Sequence, residues 1–226
     1  MKQNDSFDPR LHYQSREVAE KYDQERFASF ADRLFQRAGL RALSRALRVL
    51  GSEASLLDAA CGTGRFSKAL LIWGFRVTCL DISHEMISVA KRQLNGADGR
   101  VKFSRGSADA LPFCDEAFDA VLSMRFMPHI ATQQRRIMLG EMARVSRRWV
   151  VFSNTYSNRW YEYRRGLKRR VGHVPPTRYP VTEKELHEEL RSAGLRETGR
   201  CWTWRFLSEE VLVVCEKVSE GDGKLL

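Results

Sequence analysis

Two carboxylates, a run of small residues and a glycine turn carry the clearest chemistry in the chain. Leu56 and Leu57 end a short apolar run that reads as a buried parallel strand, and Asp58 stands at its carboxyl end. Ala59, Ala60 and Cys61 lead into a sharp Gly62-Thr63-Gly64 turn, and FSKALLIW then has helical spacing with Phe66, Ala69, Leu70 and Trp73 on one side. A strand, a glycine turn and a helix bring backbone N–H groups and a positive helix end to one point. Small residues let a ligand approach the main chain closely. A second acid, Asp81, ends the next apolar run, RVTCLD, where a carboxylate can accept both hydroxyls of a ribose.

What is missing narrows the ligand. Ala60 stands where the first glycine of GxGxxG would be, Phe66 and Ser67 follow Gly64, and no Gly-Lys-Ser/Thr ending is present. A phosphate-binding loop is therefore excluded, and a ribose without phosphates over a glycine turn suggests an adenosyl group. Alanine for glycine at position 60 is expected to be mild, because a methyl group fits most turns with negative φ. His129, in SMRFMPHI, has an unperturbed pKa suited to neutral pH and is the best general-base candidate. Because Pro128-His129 begins a helix, a capping or packing role is slightly favoured over it.

LLDAACGTGRFS, CLDISHEMISVAKRQL and GSADALPFCDEAFDAVLS, in that order, resemble three consecutive motifs of class I S-adenosylmethionine-dependent methyltransferases, closest to the UbiE-like (methyltransferase type 11) branch. The resemblance implies S-adenosylmethionine as cofactor. It places Asp58 at the methionine amino end, directly or through water, Ala60, Gly62 and Gly64 in the loop, Asp81 on the ribose diol, and Ile82 and Met86 against the adenine. Relatives carry an acid after the third strand; here the order is Gly106-Ser107-Ala108-Asp109, so Ser107 takes the acid's place. The main chain of Ala108, or Asp109 two positions on, would then share adenine recognition. Tyr22 matches, by its AEKYD context, a tyrosine near the methionine end, and His129 lies where relatives often carry a histidine near the acceptor.

The elements that must position these residues alternate along the chain. The periodicity predicts strands at 76–80, 100–104, 118–123 and 148–153 and helices at 84–94 and 132–146, the sign of parallel strands with right-handed crossovers. Ligands in such sheets lie beyond the strand carboxyl ends, so Asp58, Asp81, Ser107 and Ser123 should converge. Thr182 with Glu185 reads as a capping box for a helix ending at Gly194. The last two apolar runs are too close for a crossover and must form an antiparallel hairpin. The expected fold is an α/β, Rossmann-like, doubly wound sheet of seven mostly parallel strands with one reversed, and helices on both faces. It forms a single domain over 1–226, divided into an N-terminal helical cover (1–50), a cofactor-binding core (51–154), a substrate lid (155–180), a C-terminal helix and hairpin (181–218) and a tail (219–226). The cover reads as a helical pattern over 15–38, capped at Ser15 and with room for one break, followed by a second helix over 40–50 that stops at Gly51.

With 226 residues and 43% hydrophobic content, the chain can bury a full core. No apolar run approaches a membrane span, and MKQNDSFDPR has no signal-peptide character, so a cytoplasmic location is expected. Five cysteines without a CxxC pair fit free thiols in a reducing compartment, and no metal is expected. Net charge is +10, and residues 159–170 hold six basic residues beside Trp160, Tyr161 and Tyr163. That segment, with Trp160, Tyr163, Arg164 and Arg165 as contacts, suits an acceptor with an apolar body and, in some cases, an anionic group. Three functions follow: methyl transfer to an O, N or C atom of a small or lipid-like acceptor, RNA methylation, or non-catalytic cofactor binding.

Overall fold

The computed structural model describes residues 17, 19–20, 29–95, 99–157, 160–163, 179–204 and 208–218. The elements are α1 (Phe30–Ala46), β1 (Ser55–Ala59), α2 (Arg65–Ile72), β2 (Arg76–Asp81), α3 (His84–Gln93), β3 (Val101–Arg105), β4 (Phe118–Ser123), α4 (Thr132–Val145), β5 (Ser146–Thr155), α5 (Glu183–Ser192), β6 (Leu195–Trp202) and β7 (Glu210–Lys217). Short 3₁₀ turns lie at Leu47–Val49 and Met127–His129.

The strands form one seven-stranded sheet in the order β3-β2-β1-β4-β5-β7-β6, in which β7 alone runs antiparallel to its neighbours. The order reverses between β1 and β4, which opens a crevice beyond their carboxyl ends. Consecutive apolar residues point to opposite faces, so each central strand feeds two cores. Leu57, Val121 and Val150 pack with Met138, Leu139 and Met142 of α4 and Leu186 and Leu190 of α5. Leu56, Leu122 and Val151 pack with Ala42 and Leu43 of α1 and Leu70 of α2 on the other side. Helices therefore cover both faces, as the alternation required. The capping box at Thr182 and Glu185 is present and starts α5.

The N-terminal cover departs from its expected form. α1 is one helix from its Ser29 cap to Ala46, so it runs without interruption through the junction of the two expected helices. Gly39 sits buried inside it, and a Cβ there would lie 3.1 Å from Arg125 Nη2. The glycine makes room for a guanidinium rather than ending a helix. Ala19, which is helical, is buried against Met86 and Val89 of α3, so the chain before α1 also reaches the crevice side. The expected Ser15 cap lies outside the described residues.

Candidate active site

The glycine turn is fixed by main-chain bonds to β2. Cys61 N–H donates to the Leu80 carbonyl at 3.0 Å, and Gly62 N–H donates to Asp81 Oδ2 at 2.9 Å. Asp81 Oδ1 accepts from Ser83 N–H at 2.9 Å, and Ser83 Oγ caps α3 by accepting from Met86 N–H. One carboxylate thus ties the glycine turn to the start of α3. Burial pushes its pKa up, and the N–H groups of Ser83 and Gly62 pull it back.

Ala60 corrects the expectation of negative φ: it holds φ 62°, in the left-handed region. The chain must reverse there to bring Cys61 under Leu80, and the methyl group bears the steric cost. Gly64, at φ 81°, faces α3 instead of the crevice; a Cβ would meet Leu94 and Ala90 at 3.1 and 3.2 Å. Gly62, at φ 56°, has nothing within 4 Å of an added Cβ and leaves the main chain open.

Above this turn lies a cleft enclosing about 1080 Å³ of non-atom space, part of it open to solvent. Of the residues expected to hold cofactor, Ala60, Gly62, Asp81, Ile82, Met86, Ser107, Ala108 and Asp109 line it, and so does His129. Ser107 donates its hydroxyl to Asp109, so a carboxylate stands behind the serine that replaces the usual acid. The far wall is largely apolar, with Met124, Phe126, Ile130 and Met138.

Asp58 and Ser123 do not line the cleft, against the expected convergence. Asp58 is buried beneath the turn, where Ser67 Oγ donates to it at 2.5 Å and burial raises its pKa to about 6. Ser123 is fully buried at the end of β4, and its hydroxyl has no partner among the described groups. Trp160 and Tyr163 stack on each other, ring centroids 6.3 Å apart, and are exposed away from the cleft lining. Tyr22, Arg164 and Arg165 lie outside the described residues, as does most of the expected lid. What is described of that segment fixes its two ends. Tyr156 pairs with Val181, Tyr161 is buried and donates to the Ser208 carbonyl at 3.0 Å, and Tyr179 N–H donates to the Pro128 carbonyl at 2.7 Å. The return end therefore meets the 3₁₀ turn that carries His129.

Arg125 is the residue that the sequence reading missed. It lines the cleft at φ 60°, and its N–H donates to Ser153 Oγ. Its guanidinium lies over the Phe35 and Phe66 rings, donates to Gln36 at 2.8 Å and pairs with Glu210 at 3.1 Å. No motif marks an arginine in the left-handed region, so nothing in the sequence pointed to it. Among the described residues, Glu183, His187 and Glu197 have ligand atoms close enough for a metal, but Arg200 bonds both carboxylates and fills that group.

Residues 56–148 match the family described as "Methyltransferase domain". A demethylmenaquinone methyltransferase of Clavibacter sepedonicus is 44% identical over 80 residues, 35% of this chain and 32% of that protein. A malonyl-[acyl-carrier protein] O-methyltransferase of Buchnera aphidicola subsp. Baizongia pistaciae is 34% identical over 116 residues, half of this chain and 44% of its own length. The chain thus spans less than half the length of these relatives. Among solved structures, magnesium protoporphyrin IX methyltransferase from Synechocystis with bound SAH superposes with a TM-score of 0.70 at 18% identity, over 89% of this chain and 97% of that one. At that identity the likeness speaks for the fold.

Proposed function

We propose that this chain, which through residues 56–148 belongs to the class I S-adenosylmethionine-dependent methyltransferase family, transfers a methyl group from S-adenosylmethionine to a small, lipid-like acceptor. One observation carries the reading: Asp81 lies in the cleft wall, with Gly62 N–H on Oδ2 and Ser83 N–H on Oδ1, and the Ile82 N–H also acts on its carboxylate. A carboxylate has about four acceptor sites, so capacity remains for a ribose hydroxyl. The open main chain at Gly62 fits a ligand laid directly on the turn. Ile82 and Met86 offer an apolar face to an adenine, and Asp109, with Ser107 and the main chain of Ala108, stands near its edge.

S-adenosylmethionine supplies a methyl group already activated on a sulfonium, so the protein's work is mainly positioning and exclusion of water. Met124, Phe126, Ile130 and Met138 make the acceptor side apolar, which suits a quinone-like or acyl body. The names of the relatives above agree with such an acceptor. His129 can take a proton where the acceptor must lose one. The segment 155–180, anchored at Thr155 and returning at Tyr179 beside His129, closes over the acceptor as a lid. Trp160, Tyr163, Arg164 and Arg165 then meet the acceptor from that lid, and Tyr22 approaches from the N-terminal cover. Asp58 acts from beneath, through its bond to Ser67 of α2, and Ser123 packs at the buried end of β4. None of the described helices is long and apolar enough to cross a membrane.

A methylation screen of lipid and small-molecule extracts with labelled S-adenosylmethionine tests the reading. The expected result is label in an organic-phase product together with S-adenosylhomocysteine. Label in RNA instead overturns the acceptor class, and binding of NAD in place of S-adenosylmethionine overturns the cofactor.

A further inference from the structure

α1 carries five arginines, Arg33, Arg37, Arg41, Arg45 and Arg48, the last in the 3₁₀ turn that continues the helix, and all five are exposed. Residues three or four apart are neighbours on a helix surface, so the five form one stripe. The opposite side of α1 is built for packing: Ala38, Gly39, Ala42, Leu43 and Ala46 are buried. Among the described residues none of the five pairs with a carboxylate, whereas Arg135, Arg144, Arg148 and Arg200 each do. Like charges one turn apart destabilise a helix. The stripe therefore costs the fold something, and among the described residues the hydrogen bond it makes, from Arg45 Nε to the Arg41 carbonyl, lies within the helix itself. Phe30, at the start of the same helix and in line with the stripe, is 70% exposed.

We propose that this stripe is a docking surface for an anionic lipid membrane. From Arg33 to Arg45 the helix rises about 18 Å while the row winds by roughly a third of a turn, and a cationic row of that length on one side of a helix can lie against a charged plane. A groove that tracks a nucleic-acid strand would need walls and stacking platforms along its length, and among the described residues the row is an open ridge with the exposed Phe30 at its end. That aromatic can enter the acyl boundary while the guanidinium groups stay among headgroups. Each arginine near such a surface is worth about fivefold in binding. The docking stands apart from the methyl-transfer reading and would hold for any activity of the cleft.

The full chain is floated with vesicles of one-third phosphatidylglycerol in phosphatidylcholine at physiological salt, without acceptor or cofactor. It should bind these and ignore pure phosphatidylcholine. Arg37→Gln/Arg41→Gln/Arg45→Gln should lower partitioning on the order of a hundredfold. The matching Lys substitutions should retain it, and circular dichroism should report an unchanged fold in both. Lys91→Gln/Lys102→Gln/Lys184→Gln removes equal charge elsewhere and should change partitioning little. Equal loss in that control, or no preference for anionic vesicles, overturns the proposal. So does tighter binding to a single-stranded RNA oligonucleotide that is lost in the same triple variant. Calorimetry with S-adenosylhomocysteine on the Gln variant should match the parent chain, which keeps this test separate from that of the cleft.

Discussion

The two halves of the sheet, meeting between β1 and β4, make the cleft by different means. On the β1–β3 side the work is done by main chain: Gly62 and Ser83 N–H groups converge on Asp81, and Cys61 N–H on Leu80. On the β4–β7 side it is done by long side chains from distant segments. Arg125 reaches Gln36 of α1 and Glu210 of β7 across the sheet end, and Arg135 joins α4 to α5 through Glu189 at 2.6 Å, with both side chains fully buried. The first half is built with groups that every residue has. The second half is assembled from charges that have no purpose apart from one another.

If that contrast is right, the largest single effect falls on the second half. Arg125→Met should destabilise the fold by about 3–5 kcal/mol, because it leaves Glu210 buried and unpaired. Arg125→Met/Glu210→Leu should recover most of that in urea unfolding. A single variant that costs under about 1 kcal/mol would mean that the pair does not hold this half together.

In the first half, the largest effect belongs to a buried charge that has no cation beside it. Asp58 holds its proton up to about pH 6 when folded and releases it near 3.8 when unfolded. Between those values the folded state binds more protons, so stability should fall as pH rises from about 4 to about 6, by on the order of 3 kcal/mol. Asp58→Asn should flatten that slope in denaturation series across pH. A slope unchanged by the substitution would place the titration elsewhere.

Asp81→Ala should then separate binding from folding. Loss of charged acceptance worth about 1.5–3 kcal/mol should weaken S-adenosylhomocysteine at least tenfold by calorimetry. Unchanged affinity would remove Asp81 from the ligand. The smallest effect sharpens the main-chain side of the contrast: Ala60→Gly should raise stability by about 0.5–1 kcal/mol, relieving φ 62° at the cost of a freer unfolded chain. A loss of stability would show that the methyl group packs usefully.

This division also explains what was legible. β1, the glycine turn, Asp81 and α3 could be read because spacing alone dictates where their backbone groups go. Phe118–Ser123 was read to the residue, and the hairpin followed from the shortness of its connection. Gly39 falls between the two expected helices, because a glycine that serves a neighbour 86 positions away cannot be told, in one dimension, from one that ends a helix. Asp58 shows a related limit. Its position at a strand end was right, but the side of the sheet on which its carboxylate meets Ser67 depends on the helix packed there. Arg125 left no trace, since a strained φ has no sequence periodicity.

The strand order has a consequence for the time course of synthesis. β7 is inserted between β5 and β6, although both precede it in the chain. Until residues 210–217 have left the ribosome, β5 presents an open parallel-sheet edge and β6 has no neighbour to pair with. The β3-β2-β1-β4-β5 portion can form as it emerges, but the side that carries Glu210 must wait for its last strand. An unpaired edge is where chains pair wrongly, so the nascent protein should need chaperone protection at that stage, and a stop codon before residue 210 should yield insoluble product.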